Sequence, residues 1–174
     1  MRIKDGLVLT ALLGLGLQAV TTATATAQTP GCLSAGEAQA EQIRRLKTTL
    51  MVGALQCSHA SHLKVTESYN AFVETHSKAI VDHDAVLSGY FKRVHGATHR
   101  RAMDRHVTST ANKVATQSYK TAGFCEKVAA LAEQALSQSP QTLISVAQTN
   151  TLAPATIKSC APATVQSAGA TVLK

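Results

Sequence analysis

Between residues 34 and 149 the apolar positions recur every three or four residues, the spacing of one helix face. No strand-like alternation or hairpin turn signal interrupts that pattern. Ser34-Ala35-Gly36-Glu37 fits a capping box, in which the serine hydroxyl and the glutamate carboxylate each serve a backbone amide at a helix start. The helix it opens carries Ile43, Leu46, Leu50, Ala54 and Leu55 as an apolar stripe, sets Arg44, Arg45 and Lys47 on a charged opposite side, and ends near Cys57. A second helix is predicted from about Ser61, with Val65, Tyr69, Phe72, Val73, His76 and Ile80 on one face. Asp82-His83-Asp84 is the candidate break before a third run with Val86, Leu87, Tyr90, Phe91 and Val94, although periodicity alone equally allows one long helix; Gly96 is the expected stop. A fourth helix spans roughly Thr98 to Ser118 on Met103, Val107, Thr110, Ala111 and Val114, and Gly123 marks the next turn. The fifth runs from Phe124 to about Ser137. Ser139-Pro140 reads as the start of a short sixth that ends near Thr149.

Each stripe has to be covered by another helix, so the pattern predicts an all-α bundle of four to six helices. The composition agrees, because aromatics are only 3% and Trp is absent, leaving Leu, Val, Ile, Ala and Met to build the core. Outside the bundle the pattern changes twice. Arg2 and Lys4 precede an apolar run from Leu7 to Val20, and Ala25-Thr26-Ala27 supplies small residues, which together predict a signal peptide over 1–27 that is cleaved after Ala27. The run is short of the ~20 residues that span a bilayer. A lipid-modified Cys32 is disfavoured by Thr29 and Pro30. At the other end, 150–174 is rich in Ala, Thr and Pro and reads as a flexible tail anchored at Cys160, leaving 28–149 as one helical domain.

Cys32, Cys57, Cys125 and Cys160 all follow the leader, and an even number of cysteines in an exported chain implies two disulfides formed in an oxidising compartment. Cys32 with Cys57 is excluded, since the helix between them holds its ends roughly 30 Å apart at ~1.5 Å per residue. Of the two remaining pairings, Cys57 with Cys125 and Cys32 with Cys160 is preferred: the first ties the end of the opening helix to the start of the fifth, the second pins the tail. No Cys-x-x-Cys pair exists to support a zinc module or a redox enzyme.

Loss of residues 1–27 leaves fifteen Lys and Arg against nine Asp and Glu, a net charge of +6. The densest run is Lys92, Arg93, Arg100, Arg101 and Arg105, opposed only by Asp104 and interspersed with His95, His99 and His106. It is the candidate anion-binding surface, to be strengthened below about pH 6.5 as histidines protonate; a plain solvated helix face is the competing account. Nucleic acid is disfavoured because no aromatics interleave with the basic residues to stack on bases. His59-x-x-His62 and His95-x-x-x-His99 have ligand spacing, but both sit at helix boundaries without a supporting carboxylate, so no metal is assigned. His76 reads as a hydrogen-bonded core residue. Glu67 and Glu74 share a face roughly 10 Å apart, outside the spacing of retaining glycosidases. No catalytic residue and no cofactor are assigned.

The stretch Arg45-Leu46-Lys47-Thr48-Thr49-Leu50-Met51-Val52-Gly53-Ala54-Leu55-Gln56-Cys57, with Tyr69-Asn70-Ala71-Phe72-Val73, Ala111-Asn112 and Phe124-Cys125, resembles a group of small exported bacterial proteins with no assigned activity. That resemblance covers roughly residues 40–130, implies the Cys57 to Cys125 pairing and an exported helical domain, and transfers no catalytic residue. The expectation is therefore a periplasmic or secreted, non-enzymatic helical protein that binds an envelope partner or supports the envelope. A small hydrolase is the rival, and attachment to an anionic membrane or polymer through 92–106 is the third reading.

Overall fold

The computed structural model describes residues 31–160; the signal-peptide assignment and the tail beyond Cys160 lie outside the described residues. The described chain is all-helical, with two disulfides. Six α-helices run in order: α1 (Ala35–Gln56), α2 (Val65–Thr75), α3 (Ser77–His95), α4 (His99–Lys120), α5 (Phe124–Leu136) and α6 (Leu143–Thr149). Short 3-10 turns at Ser61–Leu63 and Gly96–Thr98 link α1 to α2 and α3 to α4.

The capping box forms as the sequence predicts: the Ser34 amide donates to the Glu37 carboxylate at 2.8 Å and the Glu37 amide to the Ser34 hydroxyl at 3.4 Å. Gly96 ends α3 with φ 53° and ψ −127°, a backbone geometry that a side chain would strain. Both preferred disulfides are present, with Cα atoms 5.6 Å apart for Cys57–Cys125 and 5.0 Å for Cys32–Cys160.

Four local expectations are corrected. The helix break falls at His76 rather than at Asp82-His83-Asp84. His76 is buried and its Nε2 donates to the Ala135 carbonyl of α5 at 3.0 Å, fixing the corner, whereas Asp82 and Asp84 stay helical because Lys78 and Arg44 pair with them at 2.6 and 3.1 Å. The second helix begins at Val65, after the 3-10 turn that takes up Ser61. Ser139-Pro140 forms a turn, closed by the Thr142 amide on the Ser139 carbonyl, and α6 starts three residues past Pro140. Leu55 and Val86, read as stripe residues, are exposed: Leu55 lies in the last turn of α1, and Val86 falls to the side of the α3 face that buries Ile80, Leu87 and Phe91.

The largest departure is α1 itself. It touches α2, α3, α4, α5 and α6, so it runs through the middle of the bundle and buries residues around nearly its whole circumference. Its charged side is therefore not a solvent face: Arg45 and Glu41 are buried, and Arg44 is mostly covered. One apolar cluster, with Leu46, Leu50, Phe72, Val114, Val128 and Leu143, fills the centre; a smaller one, with Leu33, Ala40, Leu87, Tyr90, Phe91 and Ala102, closes the end where α1 begins.

α1 and α5 approach most closely at Gly53, where an added Cβ would lie 2.3 Å from Val128 Cγ1. Val128 is fully buried and stiff about χ1, so it has nowhere to turn. Gly53→Ala is expected to cost about 1–3 kcal/mol through overpacking, despite the better helix propensity of alanine. Val128→Ala in the same chain should recover at least about 1 kcal/mol as a coupling between neighbours, read from a double-mutant cycle in urea.

Candidate functional site

Two polar assemblies stand out, one inside the bundle and one on its surface. The inner one begins with the four-residue spacing that puts Glu41 and Arg45 on one face of α1. Arg45 Nε donates to Glu41 Oε2 at 2.7 Å, and Arg45 Nη1 donates to the carbonyl of Ala153. From α4, His106 brings Nε2 to 3.7 Å from Glu41 Oε1 and Nδ1 to 3.4 Å from the Thr156 hydroxyl. Phe91 of α3 covers the imidazole, ring centroids 5.4 Å apart. Burial pushes the Glu41 carboxyl above its ordinary range although Arg45 pulls the other way. Burial likewise pushes His106 down, and Arg44, Lys113 and Arg45 push it further.

A hydroxyl, an imidazole and a carboxylate thus face one another in turn. The 3.4 and 3.7 Å separations exceed the roughly 2.6–3.2 Å over which a base takes a proton. Glu41 is only 1% exposed, and Thr156 does not line the surface groove described below. Glu67 and Glu74 are both exposed on α2. Among the described residues no group of three or more His, Cys, Asp or Glu side chains could hold a metal ion.

The surface assembly is a groove of about 910 Å³ along the outer face of α4. Arg101, Arg105 and Lys113 supply its cations, Thr108, Ser109, Asn112 and Thr116 its hydroxyl and amide groups, and Pro154 one edge. All of these α4 side chains are exposed. They recur at three- and four-residue intervals, so the cations spread over about 18 Å of helix at ~1.5 Å per residue. Asp104 stands between the two arginines as an acceptor.

The basic run picked out by the sequence is thereby divided. Arg101 and Arg105 line the groove; Lys92, Arg93 and Arg100 do not. Arg93 is taken up in structure, donating to Glu37 at 2.8 and 3.0 Å and to the Cys32 carbonyl at 3.3 Å, with its guanidinium 5.3 Å from the Tyr90 ring centroid. Lys92 and Arg100 are exposed at the α3 and α4 ends that meet at the Gly96–Thr98 turn. His106 is a buried histidine rather than a surface one, because its α4 position faces α1. Glu41 and Lys113 were not singled out by the sequence, although the first announces itself weakly as an i,i+4 partner of Arg45. Cys32, Cys57, Cys125 and Cys160 are all in disulfides, and no cysteine is free. No helix among the described residues is long and apolar enough to cross a membrane.

No known family, curated protein or solved structure matches this chain. Its chemistry has to be read from its own residues.

Proposed function

We propose that this is an exported, non-enzymatic binding protein whose α4 groove holds a linear, hydroxyl-bearing polyanion of the cell envelope. The observation that carries the reading is the exposed row of Arg101, Arg105 and Lys113, interleaved with hydroxyl and amide side chains in one groove. A polymer engages such a row at several points, while the hydroxyls and Asp104 suit a ligand that also offers donors and acceptors of its own. Export is supported by the leader-like pattern of residues 1–27 and by two disulfides, which persist in oxidising compartments. Retention in the periplasm and release from the cell are equally compatible with this chemistry.

A polymer is favoured over a membrane because the cations follow one line along α4 and no large apolar side chain lines the groove. Polygalacturonate, which carries both carboxylates and hydroxyls, is a suitable probe. The expected result is binding that weakens steeply with salt, log K falling by about 2–3 per decade for three neutralised contacts. Changing Arg101, Arg105 and Lys113 together to Gln should reduce affinity at least tenfold while leaving the circular dichroism of the bundle unchanged. Binding indifferent to these three residues, or tighter binding to anionic vesicles than to the polymer, defeats the reading.

A further inference from the structure

Residues 151–160 follow α6 without a helix of their own, yet they lie against the bundle as a strap. Both ends are firmly held. Asn150 donates to Thr49 at 2.9 Å and accepts from the Leu152 amide at 3.1 Å; at the far end the Leu33 amide donates to the Lys158 carbonyl, the Cys160 amide to the Leu33 carbonyl, and Cys160 is bonded to Cys32. Between them the polar contacts are of a different kind: Arg45 to the Ala153 carbonyl, and His106 facing Thr156. The strap also forms an edge of the groove through Pro154.

The middle of the strap therefore rests on an ionisable cluster. Arg45 of α1 and His106 of α4 touch the strap itself; behind them α1 adds Glu41, paired with Arg45, and Arg44, α4 adds Lys113, and α3 adds Asp84, already engaged by Arg44, together with the covering Phe91 ring. His95 of α3 stacks on the same Phe91 but is itself exposed, and the strap's own cation, Lys158, is exposed further along. The two covered arginines are thus matched by two carboxylates, Lys113 being exposed in the groove, and among the described residues the uncommitted acceptor nearest the imidazole is Glu41 Oε1 at 3.7 Å. A proton on His106, whose side chain is 8% exposed, adds an unbalanced positive charge in a place with little water. Such a charge is relieved most cheaply by moving the cover that excludes solvent.

We propose that the 151–160 strap is an acid-opened wall of the α4 groove: protonation of His106 lifts its middle off α1 and α4 while the Asn150 and Cys160 ends stay tied. The sign follows from burial. A histidine held below its ordinary 6.5 favours the closed strap fully above that pH, and the preference is lost as pH falls from 6.5 through the lowered value. The consequence for ligand rests on the groove reading above; the opening itself does not.

Ala153 is fully buried in the middle of the strap, so its methyl group reports the opening without any substitution there. From pH 7.5 to pH 5 the relaxation of that methyl by a soluble paramagnetic probe is expected to rise several-fold with far-ultraviolet dichroism unchanged; His106→Gln should flatten that response, and His99→Gln should leave it intact. A methyl that stays buried to pH 5, or an opening that persists in His106→Gln, overturns the proposal. The readout involves no ligand, so failure of polygalacturonate to bind at pH 7.5 would count against the groove alone. If the groove does bind, affinity should fall several-fold at pH 5 in the parent and not in His106→Gln.

Discussion

Arg45→Ala is expected to lower unfolding free energy by about 3–5 kcal/mol at pH 7, the range found when one member of a buried ion pair is removed. The reason is what it leaves behind. Glu41 is 1% exposed, and its Oε2 would lose the guanidinium that serves it, while the Ala153 carbonyl would lose its donor on the strap. Glu41 would then hold its proton more strongly still in the folded protein. A carboxyl whose folded value is raised contributes stability that is full below 4.5 and lost as pH rises through the folded value, so the deficit should shrink between pH 7 and pH 5. Urea unfolding at both pH values checks this. The companion Glu41→Leu/Arg45→Met removes both charges at once and should fall within about 1 kcal/mol of the parent or above it, because apolar packing escapes the desolvation cost of the pair. A single substitution costing under about 1 kcal/mol at pH 7 would mean that water reaches Glu41 far more freely than its burial indicates.

The second large effect is covalent. Replacing Cys57 and Cys125 together by Ala is expected to lower stability by about 4 kcal/mol, since the bridge closes a long loop in the unfolded chain and loop entropy scales with the logarithm of its length. The sequence separation is 68 residues. In thermal unfolding that corresponds to a fall of about 10–20 °C for a domain of this size. Using Ala at both positions avoids leaving a thiol, and reductant added to the parent should reproduce the direction of the change. The bridge also joins the end of α1 to the start of α5, next to the Gly53–Val128 contact, so its loss should loosen that helix pair before the rest. A melting temperature unchanged by the double substitution would show that the native packing alone holds α1 and α5 together.

Much of this protein is written locally. The capping box at Ser34 and Glu37, the Gly96 stop and the Gly123 turn depend on neighbours within one helical turn, and all three are visible in the residue order. The disulfide pairing was accessible in part: a straight helix between Cys32 and Cys57 keeps their ends apart and removes one of three connectivities, while the choice between the other two is made by the packing that brings Cys57 to Cys125 and Cys32 to Cys160. Arg101 and Arg105 could be picked out as exposed basic residues, but Lys113, two turns further along α4, joins them only because Pro154 and the helix face frame one groove.

What the residue order determined by itself was the helical class and the helix ends at Ser34, Gly96 and Gly123, all consequences of short-range geometry, together with the exclusion of one disulfide pairing. What only the tertiary structure decided was how many faces of each helix are covered. Periodicity shows which residues share a side, yet a helix with five neighbours buries its charged side as well as its apolar one. That is why Arg45 and His106, which fall on charged stretches of their helices, end against a strap that carries no helical pattern at all. Burial of a charge depends on what packs over it, and here the covering residues lie more than a hundred positions from Arg45 and about fifty from His106.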